Sequence, residues 1–106
     1  MGFELGTLNR GEEEIAVYDE VVRRFGDAVE AGIREQVARA LVNKGFRLGM
    51  LNRNEEAIAS YDEVLKRFGD SAEPALLEQV AKATAEKRRL QSRANEQQAR
   101  PATESA

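Results

Sequence analysis

A chain of 106 residues, 42% hydrophobic and 33% charged, has room for one core and is globular rather than disordered. It holds no Cys and no His, which excludes disulfides, thiolate nucleophiles, Cys- or His-ligated metals and the usual general base. The net charge of −3 is uneven: residues 82–100 carry six basic and two acidic side chains, leaving −7 on the rest.

In chain order, the opening MGFELG has no basic n-region and no apolar run near the ~20 residues that span a bilayer, so a cytoplasmic protein is the expectation. A short helix is expected at about 2–8 and a second at 11–25, where Ile15, Tyr18, Val21, Val22 and Phe25 recur at three- and four-residue steps. Gly26 stands where a left-handed residue closes a helix. Asp27 and Glu30 then form an Asp-x-x-Glu capping box that opens a long helix at about 28–51. Asn52 suits a left-handed turn position, and Asn54 suits the cap of a helix over 54–68, with Glu55 and Glu56 at its positive end. Ile58, Tyr61, Val64, Leu65 and Phe68 form its apolar stripe. Gly69, then Asp70 and Glu73, repeat the stop and start signals, and Pro74 fits the first turn of a last helix at about 72–98. The segment 99–106, with Pro101 and small polar residues, reads as a disordered tail.

The chain says nearly the same thing twice. LGTLNRGEEEIAVYDEVVRRFGD begins at Leu5 and LGMLNRNEEAIASYDEVLKRFGD at Leu48; residues 5–40 and 48–83 share 23 identities in 36 positions, offset by 43. Such self-similarity marks a repeat array, in which each unit buries its apolar face only against a neighbour.

Helix, tight turn, helix, in tandem, resembles the tetratricopeptide repeat (TPR) family. Gly45, Leu48, Asn52, Ala57 and Tyr61 stand at the family's spacing of small, large apolar, turn, Ala and aromatic residues, with Leu41 in the place usual for Trp. The period of 43 exceeds the family's ~34, Lys44 and Gly69 stand where Leu and Pro are usual, and Glu14 replaces the Ala in the first copy. The resemblance implies an all-α domain over 1–98, roughly five helices stacked as a short right-handed α-solenoid. It also implies a concave groove that binds a peptide or protein, with Arg39, Val42, Asn43, Phe46, Met50, Lys82 and Arg89 at groove positions. Ala85, Glu86 and Arg93 fall on the same face by that pattern; Asn43 and Lys82 match two residues of the family's carboxylate clamp, and Glu86 stands where a basic one belongs.

Other readings of the same residues are plainer. The Gly2–Gly6 and Gly45–Gly49 pairs at i, i+4 imply close helix approach, because each glycine otherwise costs up to ~1 kcal/mol in a helix. Glu12–Glu14, Glu55 and Glu56 complement helix N-termini rather than bind metal or move protons. No nucleophile, base and oxyanion donor assemble, and no glycine-rich phosphate loop occurs, so neither an enzyme nor a cofactor is expected. The helix that should precede the first copy is absent, which leaves Leu5, Leu8, Ile15 and Val22 as a self-association face and makes a homodimer the expected state. A self-assembling structural protein with no separate ligand, and nucleic-acid contact through basic 82–100, are the alternative functions.

Overall fold

The computed structural model describes the backbone of residues 2–105 and the side chains of residues 10–93. It contains four helices: α1 (Gly2–Phe25), α2 (Ala31–Met50), α3 (Asn54–Phe68) and α4 (Pro74–Ser105). Four rather than five follows from the first copy, where the stretches 2–8 and 11–25 join through Gly11 into one helix of 24 residues. The same words turn in the second copy, at Asn52 with φ 63, the positive φ that the sequence assigned to it. A turn persists where the two helices it joins pack together. In the second copy α2 and α3 pack on each other; in the first the same letters continue as helix, which satisfies the backbone locally. α4 carries helical backbone beyond residue 98, into the segment read as a tail, whose side chains lie outside those described.

The caps differ from the sequence reading. α2 begins at Ala31 rather than near Ala28, with Glu30 as N-cap in extended conformation and no side-chain cap, so Asp27 does not cap it. α3 begins on Asn54 with Arg53 at its N-cap. Pro74 opens α4, where its missing N–H costs nothing; just before it, the Glu73 N–H donates to Ser71 Oγ at 3.1 Å. Gly69 has helical φ −60, and no glycine among the described residues is left-handed, so the stop glycines do not act through positive φ. Their reason is space: a Cβ on Gly26 or Gly69 would lie 2.5 or 2.4 Å from the carbonyl oxygen of Val22 or Leu65.

α2 is the central element, packed against α1, α3 and α4, while α1 approaches neither α3 nor α4 closely along its described backbone. The core runs through Ile15, Val37, Ala38, Leu41, Leu48, Ala57, Tyr61, Val64, Phe68, Leu76, Ala83 and Leu90. Tyr61, Leu48, Leu76, Val37 and Val64 are its largest fully buried side chains, each worth roughly 1.5–3 kcal/mol of burial. Inside it, Ser60 Oγ donates to the Leu41 carbonyl at 2.7 Å.

The duplication is visible in contacts as well as letters. Lys44 on α2 pairs with Asp19 on α1 at 2.6 Å, and Lys87 on α4 pairs with Asp62 on α3 at 2.5 Å; both pairs move by the repeat offset. One site is rewritten. Where Leu90 and Ala57 are buried between α4 and α3, the first copy places Arg47 and Glu14, paired at 2.5 Å. The Glu14 that departs from the repeat pattern therefore has an ionic partner on the adjacent helix.

Candidate functional site

The helices meet so that the face shared by α2 and α4 is concave. There Arg39, Val42, Asn43, Phe46, Lys82, Ala85 and Glu86 line a trough of about 510 Å³ whose floor is Tyr61 and Gln79. A second chamber of about 180 Å³ adjoins it through Phe46, Tyr61 and Glu86, and adds Gly49, Met50, Arg89, Leu90 and Arg93. Arg39, Val42, Asn43, Phe46 and Lys82 line the first of these pockets, and Phe46, Met50 and Arg89 the second. The helical period explains their convergence, since residues 39, 42, 43, 46 and 50 lie on one stripe of α2, and 82, 85, 86, 89 and 93 on the corresponding stripe of α4.

Two floor residues went unread. Tyr61 was assigned to the core, where it belongs at 1% exposure, but its ring also reaches both chambers. Gln79, which the repeat offset of 43 pairs with Gln36, is buried on α4, while Gln36 stays exposed. The duplication of a glutamine at one helical position was the available signal.

Close approach of α2 and α3 makes the floor possible. A Cβ on Gly45 would lie 2.5 Å from the Tyr61 ring, so only glycine lets Tyr61 lie flat there. The companion reading for Gly49 fails, because nothing lies within 4 Å of where its Cβ would be. Gly2 and Gly6 lie outside the residues with described side chains.

The walls are apolar and charged in turn. Phe46 and Met50 are 52% and 65% exposed, a ledge of apolar surface at the trough's edge. Arg39 pairs with Glu35 at 3.0 Å and Arg89 with Glu86 at 2.8 Å. Lys82 enters none of the ion pairs among the described residues. Burial, reinforced by the Glu86 carboxylate, pushes the Tyr61 phenol up to about 12, so its hydroxyl stays protonated at neutral pH.

A cleft of about 460 Å³ on the opposite side, over α2 between α1 and α3, makes a useful contrast. Its cations Lys44 and Arg67 already face Asp19 and Glu63. That cleft is internally neutralised.

On the proposed self-association face, Leu5 and Leu8 fall outside the described side chains. Ile15 is corrected: at 8% exposure it is part of the core, covered by its own chain, and Val22 packs half-buried against that core. The periodicity placed both on α1's apolar stripe but did not show which side α2 would occupy. Among the described residues of α1, the exposed large apolar side chains are Val17 at 60% and Phe25 at 46%.

Among the described residues no group of three or more acidic side chains could hold a metal ion, and no helix is long and apolar enough to cross a membrane. Within the basic segment, Lys87 and Arg89 are engaged in ion pairs with Asp62 and Glu86. No protein-family model, curated protein or solved structure matches the chain.

Proposed function

We propose that this chain is a TPR-like interaction module, a short helical solenoid that binds a peptide or protein segment in the α2/α4 trough. The observation that carries the proposal is the trough itself: apolar Phe46 and Met50 beside the cations Lys82 and Arg89, over a buried floor of Tyr61 and Gln79. Helix-lined grooves of this kind recognise a partner by apolar anchors, while charges at the rim set orientation. The ion pairs repeated at the sequence offset support the stacked arrangement. The same chemistry offers no nucleophile–base pair, so binding rather than catalysis is the activity assigned.

The test is a selection from a random-peptide display library against the full chain, followed by calorimetry on the selected peptides. Phe46→Ala and Arg39→Glu should each weaken binding about tenfold. Unchanged affinity in both variants would move the function away from this face.

A specific observation favours a second reading, self-assembly into a homodimer. α1 repeats α3, yet Phe25 is 46% exposed where Phe68 is 4%, and Val17 is 60% exposed where Ser60 is 5%. The helix that covers these positions on α3 has no counterpart on α1, and a second copy would bury them symmetrically. Continuation of the array from the other end is disfavoured, because α4 carries Thr84, Arg88 and Gln91 where α2 meets α3 with Leu41, Gly45 and Leu48. Light scattering across a hundredfold range of concentration decides it: a dimer has twice the chain mass of 11.8 kDa. A monomer throughout would leave the α1 face to another protein.

A further inference from the structure

The two copies join their helices through hinges of equal length, 26–30 between α1 and α2 and 69–73 between α3 and α4. Gly, Asp and Glu recur at matching places, but the letters between and after them change. Ser71, Ala72 and Pro74 stand at the second hinge where the first has Ala28, Val29 and Ala31. The changes at Ser71 and Pro74 remove a lock from the first hinge. Ser71 Oγ accepts from the Glu73 N–H at 3.1 Å, whereas α2 begins without a side-chain cap. Pro74 is tolerated as the first residue of α4 but would break any helix that ran on from α3 into α4. Ala28 and Ala31 are instead the best helix-forming residue type, and they allow α1 to run straight into α2.

Val29 says what a straightened chain gains. At 87% it is the most exposed of the large apolar side chains described, and Phe25 near it is 46% exposed. Val22, Phe25, Val29, Ile33 and Val37 follow one another at three- and four-residue steps, so a helix continued through the hinge carries one apolar stripe from α1 into α2. A straightened chain cannot cover that stripe itself, because its own α1 has left α2. A second copy straightened in the same way can, with each α1 lying antiparallel on the α2 of the other. The register is already set, by Gly11 beside Leu51, Glu14 paired with Arg47, and Asp19 paired with Lys44. Carried through the hinge, it puts Ala31 on the two-fold axis and Val29 across from Ile33 of the second copy. The α1–α2 contacts re-form between chains; the Arg67–Gly26 hydrogen bond is given up and burial of Val29 is gained. We propose that the chain forms a dimer by exchanging α1, with the 26–30 hinge turned to helix. This goes beyond the docking reading above, since it uses the α1–α2 interface rather than the open face of α1, and it holds whether or not that face is used.

The experiment refolds the full chain from urea at millimolar concentration and reads its mass by light scattering after dilution, for the parent and for Ala31→Pro. The substitution repeats Pro74: it suits the first turn of α2 but cannot sit inside a continuous helix. The parent should give a dimer that returns to monomer slowly, because α1 must detach first. Ala31→Pro should stay monomeric with an unlowered thermal midpoint. A second measurement leaves the hinge untouched. Asp19→Lys and Lys44→Asp chains are refolded separately and together, and the mixture is resolved by ion exchange. With α1 exchanged, both α1–α2 contacts of a heterodimer join opposite charges, while those of each homodimer join like charges. The heterodimer should then make up about four-fifths of the dimer instead of the statistical half. If Ala31→Pro fails to fold, this mixture decides. A dimer that survives Ala31→Pro, or a mixture at the statistical half, overturns the exchange and leaves docking through the open face. A parent that stays monomeric after refolding at millimolar concentration overturns the exchange and the docking reading together.

Discussion

Gly45 shows how much one atom decides here. Glycine costs the helix about 1 kcal/mol relative to alanine, but a Cβ would sit 2.5–2.9 Å from three atoms of the Tyr61 ring. Overpacking of a rigid aromatic outweighs the propensity gain, so Gly45→Ala should destabilise the fold by about 1–3 kcal/mol. Gly49, one turn later, has open space around it, and Gly49→Ala should stabilise by about 0.5–1 kcal/mol. Urea unfolding of the two variants reads both signs in one experiment. Tyr61 itself makes the stability depend on alkali, because burial raises its phenol from 10.0 to about 12. Below pH 10 the unfolded and folded phenols are both neutral and the full stability is present. Between pH 10 and 12 only the unfolded phenol ionises, so stability falls by about 2–3 kcal/mol as pH rises. Tyr61→Phe should remove that part of the slope, measured as the difference between wild-type and variant unfolding curves.

At the scale of elements, each copy joins its helices with the same Lys–Asp pair but differs in the contact beside it. Replacing Glu14 by Ala and Arg47 by Leu together would write the second copy's Ala57–Leu90 contact into the first. The Arg47 and Glu14 side chains are 41% and 29% exposed, so their ion pair contributes at most about 1 kcal/mol. Leucine burial against alanine offsets that, and the double variant should be at least as stable as the parent. Either single change leaves one charge unpaired against the neighbouring helix and should lower the thermal midpoint. Links between α1 and α3 are ionic rather than apolar. Arg53 reaches Glu12 and Glu56, each at 2.6 Å, and its hydrogen bond holds the Glu56 carboxyl below the usual range. Arg67 donates to the Gly26 carbonyl at 3.3 Å. Screening follows from that exposure: raising salt from 0.05 to 1 M should loosen α1 before α3, seen as earlier hydrogen exchange in residues 12–25. Equal exchange in the two helices would mean that packing on α2 alone holds α1.

The whole molecule is flat, 55 × 38 × 17 Å, with a radius of gyration of 16.0 Å against the roughly 13 Å of a compact domain of this length. One helix, α2, touches the other three, so damage to its core stripe should be global. Leu41→Ala, at a site 4% exposed, should cost about 2–5 kcal/mol and abolish cooperative melting by circular dichroism. Val17→Glu and Phe25→Glu, on the open face of α1, should leave the melting of a monomer nearly unchanged and dissociate a dimer. The pair of variants therefore separates a surface that is merely tolerated from one that is used.

Much of this was legible in the letters. Three- and four-residue spacing placed the apolar stripes, the offset of 43 announced a duplication, and Asn52 marked the turn, because periodicity and backbone preference are local properties. The groove residues on α2 and α4 came from the resemblance to the TPR pattern, and helical periodicity puts them on one stripe of each helix. What the sequence could not carry was any fact that depends on which neighbour is present. The same LGxLNR turns in one copy, between α2 and α3, and continues as helix in the other. Phe25 and Phe68 are one residue repeated, exposed in α1 and buried in α3. Gln36 and Gln79 are likewise one residue repeated, in water and on the trough floor. Burial is a relation between elements, and identical sequences acquire different burial when their neighbours differ.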